Sequence, residues 1–282
     1  MPHPSGRTPA DLAWYQNAAR LHHTPCGSGR LVWRNWGAGA PVLLLHGGHG
    51  SWNHFIRNLG ALLDAGYAVW APDLPGMGES DLPDDPWTPD SLAEIIEAGL
   101  AQLIGGKTVD VAGFSFGGMV GGHLAALHPE RVRNLILLGA GAMGMTSEEG
   151  IRMQNWRKVN KPAERRPMHL NNLLQHMLPD PALADDYVLD MHVANVEADR
   201  LRNREVSRTD SLHRALARVR CPVHGIWGVD DAIYRKNRHV LAGALAELGA
   251  ASLIFIGACG HWVNFQKADL VNARMLDILG RP

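Results

Sequence analysis

The stretch "GFSFGG", Gly113 to Gly118, surrounds one serine with glycines. It follows the apolar run "KTVDVA" and precedes "MVGGHLAALHPERV", which has the composition of a helix. Glycine costs a helix interior roughly 1 kcal/mol relative to alanine, so these glycines must serve another purpose. A strand, then G-x-S-x-G, then a helix is typical of a tight turn that presents its serine at the end of the strand. We therefore interpret Ser115 as a nucleophile, with Gly113 and Gly117 allowing strand and helix to pack closely.

A serine nucleophile needs a base, and the base needs an acid that orients it. His261, in "GACGHWVNF", follows the last predicted strand and is the candidate base. Asp230 and Asp231, in "GIWGVDDAIY", follow an earlier predicted strand. The acid must point inward while its neighbour caps the next helix, and we favour Asp231. The order Ser115, Asp231, His261 is the chain order expected for this kind of turn.

The charge that develops on the substrate oxygen requires two backbone N–H donors. The residue after the nucleophile, Phe116, is predicted to supply one of them. The other is predicted in "GGHG", Gly47 to Gly50, where glycines let the backbone approach a substrate. We favour Gly48 as this second donor, with Gly47 as the alternative. His46 is expected to order the loop rather than to take part in the chemistry.

Short apolar runs bounded by glycine or proline recur along the chain and alternate with helical patterns. Several are continuously apolar, as in strands that are covered on both faces. The pattern predicts an α/β fold with a mostly parallel sheet and helices on both sides. The predicted strands are Arg30–Trp36, Pro41–His46, Tyr67–Pro72, Thr108–Gly113, Asn134–Gly139, Cys221–Gly228 and Ala251–Gly257.

The alternation is interrupted once, from residue 141 to residue 208, where the sequence is polar, methionine-rich and helical in pattern. We interpret 141–208 as a helical cap inserted between two parts of one core, 1–140 and 209–282. Its methionines either line an adaptable apolar pocket or pack a small helical core. They are Met143, Met145, Met153, Met168, Met177 and Met191.

The composition argues against several classes of function. The chain has 282 residues and a net charge of −1, which predicts no partnership with nucleic acid. No apolar run approaches the roughly 20 residues of a membrane span, and the first residues lack the apolar core of a signal peptide. Three dispersed cysteines predict neither a disulfide framework nor a metal site. We expect a cytoplasmic enzyme with a small-molecule substrate, without cofactor, metal or membrane partner; a homo-oligomer stays open.

Six segments together resemble the landmarks of the alpha/beta-hydrolases, in the same order. They are "VLLLHGGHGSWNHF", "VWAPDLPGMGESD", "VAGFSFGG", "HPERVRNLILLG", "IWGVDD" and "CGHWVNF". This resemblance covers nearly the whole chain. It implies the alpha/beta-hydrolase fold, with a mostly parallel sheet of about eight strands and a helical cap inserted after the sixth. It also supports the roles given to Ser115, Asp231 and His261.

Within that family, the chain is most similar to the meta-cleavage-product hydrolases, which cut carbon–carbon bonds of ring-fission products. Trp262 after His261 resembles their His-Trp pair, and "MLPDPALADDYVLDMHVANVEA" resembles their cap. Those enzymes usually carry Asn directly before the nucleophile, where this chain has Phe114. We therefore predict hydrolysis of an ester or a similarly activated acyl bond of a small apolar molecule. C–C hydrolysis is the alternative, and a small-molecule receptor with a slow triad is another.

Three residues are predicted to contact the substrate: Trp262, His49 and Phe114. The arginines of "DRLRNREVSR" either clamp a substrate carboxylate or form a solvated helix face with weak ion pairs. They are Arg200, Arg202, Arg204 and Arg208.

Overall fold

One mixed sheet is the centre of the computed structural model, which describes residues 2–145, 152–202 and 204–280. Its strands are β1 (Arg20–Cys26), β2 (Gly29–Trp36), β3 (Pro41–Leu45), β4 (Ala68–Pro72), β5 (Val109–Phe114), β6 (Val132–Leu138), β7 (Val223–Gly228) and β8 (Ser252–Ile256). They lie in the order β1-β2-β4-β3-β5-β6-β7-β8. The pairs β1–β2 and β2–β4 are antiparallel, and every other neighbouring pair is parallel. The predicted mostly parallel sheet of eight strands is confirmed.

The first strand, β1, is absent from the strands predicted by composition. Its sequence, "RLHHTPC", is polar and exposed at several positions because it lies at the edge of the sheet. The central strands β3 and β5 are apolar and almost completely buried, as expected for strands with helices on both faces.

Helices cover both faces of the sheet. They are α1 (Pro9–Ala18), α2 (Leu59–Asp64), α3 (Pro89–Ile104), α4 (Phe116–Leu127), α5 (Pro162–His176), α6 (Asp186–Ala198), α7 (Ser211–Leu216), α8 (Arg238–Glu247), α9 (Val263–Gln266) and α10 (Ala268–Leu279). Short 3₁₀ helices occupy Trp52–Phe55, Trp156–Lys158, Pro181–Leu183 and Arg204–Arg208. α3 begins after Thr88, whose hydroxyl accepts a hydrogen bond of 3.0 Å from the Ser91 N–H and so caps the helix.

The sheet separates two hydrophobic cores. Because side chains alternate along a strand, Leu43 and Leu44 of β3 lie in different cores. The first core contains Met119 of α4, and the second contains Phe55 and Trp262. Both cores fix the carboxyl ends of the parallel strands, from which the candidate site is built.

The described residues between β6 and β7 form helices and no strand. We call residues 152–202 and 204–208 the helical segment; it contains α5, α6 and the intervening 3₁₀ helices, and α5 packs against α6. It is joined to the core by the Trp262 N–H, which donates to the Met177 carbonyl at 3.1 Å. The domain boundaries 1–140, 141–208 and 209–282 stay a prediction. Among the described helices, none combines the length and apolarity needed to cross a membrane.

Candidate active site

Ser115 lies in the sharp turn between β5 and α4. Its backbone has φ 50° and ψ −112°, a conformation that residues with a side chain rarely adopt. The turn is held because the Ser115 N–H donates to the Leu138 carbonyl of β6 at 2.9 Å, and the Ser115 carbonyl accepts from the Gly118 N–H at 3.0 Å. Strain of this kind, of order 1–3 kcal/mol, persists only where the surrounding structure imposes it.

The glycines beside Ser115 are explained by contact distances. A Cβ at Gly117 would lie 2.1 Å from the Leu45 carbonyl oxygen, and one at Gly113 would lie 2.6 Å from the Gly117 carbonyl oxygen. These obstacles are backbone atoms, which cannot rotate away. The interpretation that close packing of strand and helix requires these glycines is confirmed.

Ser115, His261 and Asp231 form one continuous chain of hydrogen bonds. The Ser115 Oγ lies 2.8 Å from His261 Nε2, and His261 Nδ1 lies 2.9 Å from Asp231 Oδ2. His261 and Asp231 are buried, with 1% and 0% of their surface exposed. The Asp231 Oδ1 accepts a further hydrogen bond of 2.8 Å from the Ile233 N–H. The structure therefore brings together the three residues predicted from sequence and leaves Asp230 exposed outside the chain.

Two further glycines, Gly139 and Gly228, allow close contact between the loops that carry Asp231 and His261. A Cβ at Gly139, after β6, would lie 3.0 Å from the His261 carbonyl oxygen and 3.5 Å from Asp231 Oδ2. A Cβ at Gly228, the last residue of β7, would lie 2.2 Å from the Cys259 carbonyl oxygen. Side chains at either position would push the loops that carry His261 and Asp231 apart.

The loop after β3 places Gly48 at the site. The His46 ring orders this loop: its Nε2 accepts from the Leu74 N–H at 2.7 Å, so Nδ1 carries the proton and donates to the Gly47 carbonyl at 2.8 Å. The Gly47 N–H donates to His54 Nδ1 at 3.3 Å. Gly48 and Phe116, by contrast, line the cavity above Ser115. This arrangement favours Gly48 over Gly47 as an oxyanion donor.

His54 is a residue of the site that the sequence did not reveal. Burial lowers the pKa of His54 well below its usual value, so the ring is neutral. Because its Nδ1 accepts from the Gly47 N–H, its proton is on Nε2. A Cβ at Gly50 would lie 2.2 Å from the His54 ring, so Gly50 makes room for it. Nothing in the sequence distinguishes this histidine from the other fourteen of the 15.

A cavity of about 800 Å³ lies between the Ser115 turn and the helical segment. The core supplies residues that surround Ser115, and the helical segment supplies most of the opposite wall. Methionine, histidine and amide side chains dominate that wall. Its lining includes Gly48, His49, His54, Phe114, Phe116, Met119, Met153, Asn155, Trp156, Arg157, His169, Asn172, His176, Met177, His192, Val196, Glu205, Ser207, Arg208 and Ile233.

The residues predicted to contact substrate are placed differently. Phe114 and His49 line the cavity, and the Phe114 ring centroid lies 5.2 Å from that of His261. Trp262 is fully buried behind His54: its Nε1 donates to the His54 carbonyl at 3.0 Å, and its ring stacks on Phe265 at 4.2 Å. Among the described cavity-lining residues Trp262 does not occur, so this geometry supports core packing for it.

The predicted arginine run is only partly at the cavity. Arg208 lines it, whereas the Arg200 guanidinium donates to the Ser80 carbonyl. The Arg204 side chain lies outside the described part of the chain. Of the six methionines, Met153 and Met177 line the cavity, while Met143 and Met191 are buried elsewhere.

Histidines of the helical segment add polar, uncharged rings to the cavity wall. Burial lowers the pKa of His176 and of His192 to about 3, so both rings are neutral at pH 7. The His176 ring centroid lies 5.1 Å from that of His261. His169 also lines the cavity, and its Nε2 lies 3.2 Å from Glu197. Within residues 2–145, 152–202 and 204–280, no group of three His, Cys, Asp or Glu side chains is arranged to hold a metal ion.

The family model described as "Alpha/beta hydrolase family" matches residues 42–274, which include the Ser115 turn, the Asp231 loop and the His261 loop. The chain belongs to the alpha/beta-hydrolase family. It is accordingly a hydrolase of the alpha/beta-hydrolase type, as the sequence landmarks predicted.

Similar proteins carry the names of C–C hydrolases. One is a 2-hydroxy-6-oxononadienedioate/2-hydroxy-6-oxononatrienedioate hydrolase from Paraburkholderia phymatum, 30% identical over 93% of this chain and 91% of that protein. Another is a 2-hydroxy-6-oxo-6-phenylhexa-2,4-dienoate hydrolase from Burkholderia cepacia, 28% identical over 89% of this hydrolase and 91% of the relative. The predicted similarity to the meta-cleavage-product hydrolases is confirmed.

Solved structures share the fold with lower sequence identity. A carboxylesterase from Bacillus subtilis has a TM-score of 0.73 and 18% identity, covering 95% of this hydrolase and 94% of that chain. An N-acyl homoserine lactonase has a TM-score of 0.70 and 20% identity, covering 92% and 96% of the two chains. These likenesses show the fold.

Proposed function

We propose that this hydrolase cleaves an ester, or a similarly activated acyl bond, of a small molecule through a Ser-His-Asp triad. The observation that carries the proposal is the series of hydrogen bonds from Ser115 through His261 to Asp231. Its Ser115 end lines the cavity. A hydroxyl becomes a useful nucleophile when a positioned base removes its proton, and the 2.8 Å contact between Ser115 Oγ and His261 Nε2 is within reach for that transfer.

The proposed reaction follows from these contacts. His261 Nε2 takes the Ser115 proton as Oγ bonds to the substrate carbonyl carbon, and the carbonyl oxygen becomes an oxyanion. The Phe116 and Gly48 N–H groups stabilise this oxyanion, and buried Asp231 stabilises the imidazolium. The tetrahedral intermediate expels the alcohol, which receives the proton from His261. Water then attacks the acyl-enzyme by the same route and releases the acid.

Phe114 favours an ester over a ring-fission dienoate. Its side chain is fully buried beside Ser115 and lines the cavity. A phenyl ring offers no hydrogen bond to an anionic dienoate, and an unpaired carboxylate next to it would cost a few kcal/mol or more. The neutral rings of His176 and His192 supply no compensating positive charge.

C–C hydrolysis of a ring-fission product is the second candidate. It is favoured by the names of the relatives and by Arg157 and Arg208, two cationic side chains that line the cavity. An arginine can hold a carboxylate through two parallel hydrogen bonds. Glu205 lines the same cavity and works against such an anion site.

The remaining expectations are part of the same proposal. Residues 141–208 act as a cap that determines substrate choice, and the partner is a small molecule rather than nucleic acid or a membrane. A receptor with a slow triad is the alternative of another class; rapid multiple turnover on p-nitrophenyl esters would exclude it.

Steady-state kinetics on a neutral ester and an anionic dienoate test the proposal. We expect kcat/KM to be higher for p-nitrophenyl butyrate than for 2-hydroxy-6-oxo-6-phenylhexa-2,4-dienoate, because of Phe114. Ser115→Ala should lower kcat for either substrate about 10⁴-fold or more while the protein stays folded. If the dienoate is preferred by about 100-fold, roughly 2.7 kcal/mol of transition-state stabilisation, the ester proposal is wrong.

A further inference from the structure

The loop that carries Gly48 is bonded to one end of α6. Asn195, in the last turn of α6, is buried and donates from Nδ2 to Asn53 Oδ1 at 2.6 Å. Its Oδ1 accepts from the Ser51 hydroxyl at 2.9 Å and from Asn53 Nδ2 at 3.3 Å. A single amide of the helical segment therefore fixes two side chains of the loop after β3.

A second contact to the same loop comes from Asp199, four residues after Asn195. Asp199, directly after α6, has a fully buried side chain whose Oδ2 pairs with His49 Nδ1. The other oxygen, Oδ1, accepts from the Leu201 N–H at 3.0 Å. His49 has φ 55°, a left-handed conformation that is unfavourable for a residue with a side chain. The Asp199 contact thus holds the side chain of His49, the residue that follows Gly48.

The same helix also faces the cavity. His192 and Val196 are one turn apart on α6 and line the cavity, while Asn195 and Asp199 are one turn apart and bind the loop. Because a helix moves as a rigid element, a substrate that changes the position of α6 also changes the position of the loop that is hydrogen-bonded to it.

We propose that Asn195 and Asp199 are positioning residues that hold the loop 47–53, so that the Gly48 N–H reaches the oxyanion when α6 is seated. This inference rests on the proposed function, since it assigns Gly48 to the oxyanion. It makes the helical segment part of the catalytic geometry as well as a wall of the cavity. A substrate that packs against His192 and Val196 then helps to hold the Gly48 N–H in the position that stabilises the oxyanion.

A positioning role has a kinetic signature. The oxyanion forms in the transition state and the tetrahedral intermediate but is absent from the bound substrate, so a displaced donor lowers kcat and leaves KM nearly unchanged. A purely structural role would instead lower the folded fraction, and a role in substrate binding would raise KM. Loss of one complete oxyanion donor costs about 10²–10³ in kcat.

The test uses Asn195→Leu and Asp199→Ala in the full chain, with p-nitrophenyl butyrate as substrate. We expect kcat to fall about 10–100-fold with KM changed less than about 3-fold. An aryl trifluoromethyl ketone, whose adduct with Ser115 carries an oxyanion, should lose affinity by the same factor. Asp199→Asn keeps an acceptor for His49 and should recover most of the activity. Asp190→Ala is the matched control, because Asp190 is on α6 but pairs with Arg166 on the exposed side.

Three results separate the possible failures. If the wild-type enzyme does not hydrolyse the ester through Ser115, the proposed function itself fails. If it does, and folded Asn195→Leu and Asp199→Ala keep kcat and ketone affinity, the positioning role alone is wrong. If either variant does not fold, Ser51→Ala, which removes one hydroxyl from the same network, must show the kcat loss; an unchanged kcat there overturns the inference.

Discussion

Replacing Asp231 by asparagine tests whether this carboxylate orients His261 as the proposed base, with little change elsewhere in the site. Asp231 accepts two hydrogen bonds, 2.8 Å from the Ile233 N–H to Oδ1 and 2.9 Å from His261 Nδ1 to Oδ2. In Asp231→Asn the amide oxygen keeps the bond from the Ile233 N–H. The amide nitrogen then faces His261 and donates to Nδ1.

That reversal fixes the wrong tautomer of His261. With Nδ1 accepting, the proton resides on Nε2, which can no longer accept the proton of Ser115 across their 2.8 Å contact. If His261 is the base, we expect kcat to fall about 10⁴-fold. It corresponds to about 5.4 kcal/mol of transition-state stabilisation at 1.36 kcal/mol per factor of ten. The volume of the side chain hardly changes, so the fold should remain.

The assay is kcat for p-nitrophenyl butyrate at neutral pH, with thermal unfolding of each variant as the check of folding. Asp230→Asn is the matched control, because Asp230 is the adjacent carboxylate and is exposed. We expect Asp230→Asn to stay within a few-fold of the wild type. An Asp231→Asn enzyme that keeps more than a tenth of its turnover, or the reverse ranking of the two variants, would refute the assignment.

Two further predictions concern stability. Gly117→Ala should destabilise the fold by about 1–3 kcal/mol or more, because its Cβ would meet the Leu45 carbonyl oxygen at 2.1 Å. Gly243→Ala in α8, where a Cβ meets nothing within 4 Å, should stabilise by about 0.8–1 kcal/mol; urea unfolding of both variants checks this contrast, and equal effects would contradict it. His192 has a folded-state pKa of about 3, below its unfolded value of 6.5, because burial disfavours the charged ring. Its contribution to the free energy of unfolding is therefore fully present above pH 6.5 and is lost as the pH falls towards 3, since the unfolded state then binds the proton more readily. The wild type should therefore lose about 2 kcal/mol more than His192→Leu between pH 7 and pH 5, and equal losses in the two proteins would show that His192 is not held neutral.

The sequence alone determined the fold and the chain order of the candidate triad. Both depend on local patterns: apolar runs alternating with helical stripes, and glycines where a Cβ would strike a neighbouring backbone. The turn at Ser115 is such a pattern, because Gly113 and Gly117 are adjacent in sequence to the residue they serve. The edge strand β1 escaped prediction since an exposed strand needs no apolar run.

Only the tertiary structure decided how the site is completed. The Gly47 N–H is occupied by His54, seven residues away, which favours Gly48 as the donor. Trp262 is directed into the core by its bond to the His54 carbonyl, 208 residues distant. Asn195 is hydrogen-bonded to Asn53, in the loop that follows Gly48, across 142 residues of sequence. Contacts between residues so far apart in sequence depend on how the helices pack on the sheet. The residue pattern within one segment therefore cannot predict them.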